Sequence, residues 1–167
     1  MTGMSLPDGV SLRAAIVSDA EPLAHLHLDC WDDAYTGLVP QRILDERRDR
    51  VGDRIERWRA ILDEGEPTLL ADHGGRLVGF ASAGTGRDND VDIDLELKAL
   101  YVRAAWWGTG VGYALLWESI ADRAAYLWVL RGNDRAIAFY ERHGFELDGT
   151  EDEQDEGLHV RMVRAGT

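Results

Sequence analysis

The stretch from residue 92 to 130 constrains the fold of this chain more than any other. It opens with an alternation that puts Ile93, Leu95, Leu97, Ala99 and Tyr101 on one face and Asp92, Asp94, Glu96 and Lys98 on the other, the period of a half-buried strand. Leu100 and Val102 interrupt the polar series, so the far end of the strand is apolar on both faces or carries a bulge. Trp107-Gly108-Thr109-Gly110-Val111-Gly112 follows and runs directly into a helical stretch with Ala114, Trp117, Ala121 and Ala124 on one face. Residues 126–130 are then apolar without alternation, as in a strand covered on both sides. Strand, glycine turn, helix and buried strand make a βαβ unit with parallel strands and a right-handed crossover.

The glycine turn is the chemically suggestive part of that unit. Without Cβ atoms, a turn entering a helix lets backbone N–H groups close on an anion, and the helix dipole favours negative charge there. A pyrophosphate fits; a tight turn with no ligand is an equally common use of such glycines. Tyr113-Ala114 after Gly112 excludes a P-loop, which needs Gly-Lys-Ser/Thr. The arrival of the turn only after about 105 residues argues against a dinucleotide fold, whose glycines follow the first strand. No serine sits in a nucleophile-elbow context.

The flanking elements read as follows. Residues 12–17 form a short strand. Ser18-Asp19-Ala20-Glu21-Pro22 starts a helix carrying Leu23, Leu26, His27, Cys30, Trp31 and Ala34 and ending before Gly37. Pro40 opens a second helical region with Ile43, Leu44, Val51, Ile55, Trp58, Ile61 and Leu62 as its stripe, ending near Gly65. Apolar runs at 68–72 and 77–83 flank Gly74-Gly75 and predict a β-hairpin. Asn133-Asp134 caps a helix that turns Ala136, Ile137, Phe139 and Tyr140 inward and stops at Gly144. Short strands at 145–147 and 158–163 enclose an acidic loop at 151–156.

Composition narrows the function classes. With 18 Lys+Arg against 31 Asp+Glu, the 167-residue chain carries a net charge of −13, which repels nucleic-acid backbones. The densest group of arginines, between Arg42 and Arg59, is interleaved with acids at helical spacing. The acidic surplus suits a cationic partner and equally suits simple solubility. Cys30 is the lone cysteine, and His25, His27, His73, His143 and His159 show no metal-ligand spacing, so no metal is expected. Residues 1–10 lack a leader pattern, and no apolar run approaches the ~20 residues needed to span a bilayer. A cytoplasmic protein of one domain over residues 1–167, with its core at about 10–163, is the expectation.

Leu100-Tyr101-Val102, Gly108 to Gly112, Asn133, and Ala138-Phe139-Tyr140-Glu141-Arg142-His143-Gly144-Phe145 occur in an order and at intervals that resemble the GCN5-related N-acetyltransferases (GNAT). The resemblance runs from about residue 10 to 163. Trp31-Asp32-Asp33-Ala34-Tyr35-Thr36-Gly37-Leu38-Val39-Pro40 is similar, more loosely, to the acceptor-side helices of a small-molecule branch. The family implies an α/β fold with a mixed, centrally splayed sheet of six or seven strands and about four helices. It also implies an acetyl-CoA-dependent transfer to a primary amine of a small molecule or protein by direct attack in a ternary complex. A non-catalytic acyl-CoA-binding sensor of the same fold is the alternative, and a homodimer is compatible with either.

The resemblance assigns acetyl-CoA to Leu100, Tyr101, Val102, Trp107, Gly108, Thr109, Gly110, Val111, Gly112, Asn133 and Tyr140. A strand amide near Val102 would polarise the thioester carbonyl, and Tyr140 would protonate the leaving thiolate. Trp107 stands where the family has Gln or Arg, so a side-chain cation would come from Arg103 or Arg135. Glu96 is the preferred base, Asp94 the reserve, and Trp31 with Tyr35 would wall the acceptor pocket and hold an ammonium by cation–π contact. Each residue has a plainer reading: Tyr140, Trp31 and Tyr35 as core, Glu96 as a solvated strand face, Asn133 as a helix cap, and 151–156 as a hydrated loop.

Overall fold

The computed structural model describes residues 6–167; residues 1–5, part of the N-terminal stretch read above for a leader, lie outside them. The described elements are β1 (Val10–Ala14), α1 (Ala20–Tyr35), α2 (Gln41–Asp49), α3 (Val51–Asp63), β2 (Thr68–His73), β3 (Arg76–Thr85), β4 (Leu95–Val102), α4 (Val111–Ile120), β5 (Ala125–Leu130), α5 (Asp134–Arg142), β6 (Glu146–Gln154) and β7 (Gly157–Arg164). They build one mixed seven-stranded sheet in the order β1-β2-β3-β4-β5-β7-β6. The neighbours β4 and β5 are parallel and share one paired position, Glu96 opposite Tyr126. Beyond it they part, and the sheet is open at its centre. Against β3, the register slips between Ser82↔Ala99 and Ala83↔Leu97. That places the bulge of β4 at Lys98, beside the opening.

Four expectations about local structure are corrected. The region at 40–65 is two helices broken at Arg50. Ile43 and Leu44 of α2 pack with Tyr35, Val39 and Leu130, whereas Trp58 and Leu62 of α3 pack with α1 and Phe80; separate partners require separate axes. Helix α4 buries Val111, Leu115, Leu116 and Ile120 and leaves Trp117 43% exposed, because the larger branched side chains remove more apolar area from water than the alanines of the expected stripe. Strand β4 starts at Leu95, and its expected solvated face is covered: Glu96 is 1% exposed. The acidic run is largely strand, with Glu151, Asp152 and Glu153 paired to Val160, His159 and Leu158. Backbone pairing is indifferent to side-chain charge, and acids on an edge strand discourage edge-to-edge association. Among the described residues no helix is long and apolar enough to cross a membrane.

Candidate active site

Two cavities meet where β4 leaves β5. The first is a groove of about 470 Å³ walled by Leu100, Tyr101 and Val102 of β4, by Trp107, Gly108, Gly110 and Gly112 of the turn, and by Asn133, Arg135 and Tyr140 around α5. Gly108 and Gly110 have φ of +74° and +100°, the left-handed region that only glycine enters cheaply. Gly110 is the N-cap of α4, so the turn delivers amides to the groove at a helix N-terminus. Thr109 and Val111 serve the turn differently: the Thr109 hydroxyl donates to Trp106 O at 2.6 Å, and Val111 is fully buried beneath it.

A guanidinium of α5 stands beside the turn. Trp107 folds back so that its indole N–H donates to Val102 O at 2.8 Å, and the Arg135 guanidinium lies 3.6 Å over its ring. Arg103 is occupied elsewhere, 2.7 Å from Asp33 and 3.6 Å from Asp29. Asn133 is both groove wall and cap, its Oδ1 accepting from the Ala136 amide at 3.4 Å. Tyr140 is buried, and burial together with the neighbouring Tyr101 pushes its phenol well above the usual range. The proton therefore stays on the oxygen at neutral pH. No hydrogen bond ties that hydroxyl to another described residue, as a core network would require.

The second cavity, about 790 Å³, lies on the other side of the opening and shares Tyr35, Lys98, Ala99, Tyr101 and Trp128 with the groove. Trp31 and Tyr35 both line it, and the Tyr35 and Tyr101 hydroxyls are hydrogen-bonded at 2.9 Å. The Trp31 ring is already engaged by two guanidiniums, Arg47 at 4.0 Å and Arg54 at 5.2 Å from its centre. His27, packed against Trp31, Trp58, Phe80 and Tyr101, is pushed down to about 3 by burial and by the Arg54, Arg47 and Arg57 charges. It is neutral, so its Nδ1 accepts from the Trp58 indole at 3.3 Å.

Glu96 is not brought into either cavity. Its carboxylate accepts from the Arg87 guanidinium at 3.1 and 2.6 Å, from the Arg87 amide at 3.1 Å and from Tyr126 at 3.3 Å. Burial would raise its pKa, and the Arg87 contacts outweigh burial and hold it below the usual value. Asp94 is exposed and precedes β4. The sequence reading missed Arg161, 4% exposed, which binds Asp88 at 2.9 Å, Asp90 at 2.7 Å and Asp148 at 2.6 Å. Asp88 in turn accepts from Trp128 at 3.0 Å, so this cluster pins the 86–94 loop against the cavity wall. Its one sequence signal was an arginine inside the apolar run at 158–163.

The Acetyltransferase (GNAT) family pattern matches residues 21–145. A probable N-acetyltransferase of Mycobacterium tuberculosis is 26% identical over 147 residues, 86% of this chain and 83% of its own. An uncharacterized N-acetyltransferase of Bacillus subtilis is 25% identical over 94% and 92%. Among solved structures, a GCN5-related N-acetyltransferase from Rhodopseudomonas palustris superposes with a TM-score of 0.73 at 22% identity over 99% of both chains. The PaiA N-acetyltransferase from Thermoplasma acidophilum, solved with coenzyme A, gives 0.71 at 19% identity over 93% and 98%. With a splayed mixed sheet, a glycine turn at a helix N-terminus and a family pattern covering most of its length, the chain belongs to the GNAT family of acetyltransferases.

Proposed function

We propose that the protein is a cytoplasmic N-acetyltransferase that takes its acetyl group from acetyl-CoA and passes it directly to a primary amine in a ternary complex. The observation that carries this is the meeting of the two cavities at Tyr101 and Ala99, so that donor and acceptor can touch without a covalent enzyme intermediate. Acetyl-CoA, when bound, supplies a thioester whose carbonyl carbon accepts the amine and whose sulfur leaves with a proton. The turn amides and α4 N-terminus hold phosphate charge, Arg135 adds a cation, and Asn133 flanks the pantetheine path. A β4 amide near Val102, facing the gap left by β5, donates to the carbonyl oxygen as negative charge develops there. The Tyr140 hydroxyl, still protonated at neutral pH, gives its proton to the departing sulfur and recovers one from solvent.

In this reading the amine's proton leaves to water in the open acceptor cavity, and Glu96 fixes the turn at Arg87 instead of acting as base. Incubation with acetyl-CoA and a panel of amines tests the proposal: amine-dependent release of free thiol is expected. Tight CoA binding with no thiol released for any amine would make the chain a binding module instead.

A further inference from the structure

The charged lining of the acceptor cavity does not balance. Arg47 is paired with Glu156 at 3.1 Å, Lys98 with Glu66 at 2.7 Å, and Arg87 with Glu96 at 2.6 Å, while Asp88 is taken by Arg161. Arg54 and Arg57, three residues apart on α3, line the same cavity and form no ion pair with any described carboxylate. Asp152, on β6, is the remaining acid of the lining. Two guanidiniums thus face one carboxylate in a chain whose overall charge is −13.

Arg54 is also held in place. It lies over Trp31 at 5.2 Å and reaches the neutral His27 Nδ1 at 3.5 Å. It is half-buried, and burial with the Arg47 and Arg57 charges lowers its pKa. A half-buried guanidinium without a counterion is an unfavourable arrangement that an anionic ligand relieves. Its fork suits a carboxylate, which it can bind through two parallel hydrogen bonds. The His27 ring it reaches packs in turn against Tyr101, where the cavities meet, with ring centres 5.4 Å apart.

We infer that Arg54, supported by Arg57, anchors a carboxylate of the acceptor, so that the acceptor is an amino acid or a related amine carrying its own carboxylate a few bonds from the nitrogen. The inference rests on the acetyltransferase reading and names its substrate class. Trp58, Ile61 and Leu130 in the same lining give the rest of such a molecule apolar contacts.

The test compares amines that differ only in the carboxylate: L-phenylalanine with 2-phenylethylamine, and β-alanine with ethylamine, with 2-aminoethylphosphonate to compare the type of anion. Wild type should favour the carboxylate partner by at least about tenfold in kcat/KM, the usual worth of a hydrogen bond to a charged group. Arg54→Gln should erase that preference through KM, with the carboxylate partners losing far more than the simple amines, and be partly rescued by Arg54→Lys; Arg57→Gln should weaken it. A wild-type preference for the simple amines, or an unchanged ratio in Arg54→Gln, overturns the inference. Titration of N-acetyl-L-phenylalanine and N-acetyl-β-alanine into wild type and Arg54→Gln needs no turnover: equal affinity in the two proteins also overturns it. Loss of affinity in the variant without thiol release by any amine keeps the anchor and rejects the acetyltransferase reading.

Discussion

The cofactor groove and the acceptor cavity adjoin, yet they are built in different ways. The phosphate end of the groove is made by consecutive backbone: one strand end, one turn with two left-handed glycines, and one helix N-terminus. The cavity is made by side chains from α1, α2, α3, β3, β4, β5, β6 and β7 whose spacing along the chain is unrelated to their spacing in the fold. A site of the first kind binds what every member of a fold binds, because its donors are peptide groups. A site of the second kind can be re-specified one side chain at a time, and its electrostatics follow local pairing, not total charge.

Breaking the wall of the acceptor cavity should give the largest effect. Arg161→Gln leaves Asp88, Asp90 and Asp148 facing one another without their cation, and removing one member of a buried ionic cluster typically costs ~3–5 kcal/mol. Asp90 is 60% exposed, so the lower end, about 3 kcal/mol, is expected from urea denaturation. In the folded fraction the acceptor KM should rise while CoA affinity, measured by calorimetry, stays the same. A parallel loss of CoA affinity would mean that the two regions are not independent.

The converse break is Gly110→Val. A β-branched residue at φ +100° is strained by ~1–2 kcal/mol, and the amides it displaces each hold charge worth ~1.5–3 kcal/mol. CoA affinity should fall on the order of 100-fold, with the fold and the acceptor side intact. Unchanged CoA binding in a folded Gly110→Val protein would remove the turn from the phosphate site.

The same contrast explains what was legible in the sequence. The βαβ unit, the hairpin around Gly74-Gly75 and the groove residues could be read because each depends on local pattern: alternation, glycine, capping. Arg135 could be named only as one of two candidates, because choosing it over Arg103 required knowing that Asp33 takes Arg103. Glu96 read as a base or as a solvated strand face because alternation cannot show that its face of β4 is covered. Nor can it show that Arg87, nine residues earlier, folds back onto it. The acidic composition suggested a cationic acceptor, yet Arg47 and Arg54 occupy the Trp31 ring that was to hold it. Whole-chain charge carries no information about which charges end up paired.

At the boundary between the two regions, Tyr140→Phe removes only the hydroxyl. Acid catalysis by one positioned donor contributes ~10²–10⁴-fold, and kcat should fall at least about tenfold, ~1.4 kcal/mol in transition-state stabilisation. CoA affinity and Tm should barely change, because the hydroxyl is not part of a hydrogen-bonded core. A drop in Tm with near-normal kcat would return Tyr140 to the core.

The smallest effect on turnover is expected from Glu96→Gln, the substitution that distinguishes a base from a strut. As a base, Glu96 would lose ~10²–10⁴ in kcat on becoming an amide; as a strut at Arg87 it should lose less than about threefold, a difference of under 1 kcal/mol. Stability should respond instead. Because the folded pKa of Glu96 lies below its ordinary 4.5, its ionised form contributes stability that is fully present above pH 4.5 and is lost as pH falls through the folded value. Glu96→Gln should therefore be less stable than wild type at pH 7, by about 1 kcal/mol given that Arg87 is 62% exposed. The gap should close as the pH falls through that folded value, since protonation then removes the same charge from the wild type. A kcat that collapses at every pH, with urea midpoints that coincide at pH 7, would restore Glu96 to the chemistry and place the acceptor's amine on the far side of β4.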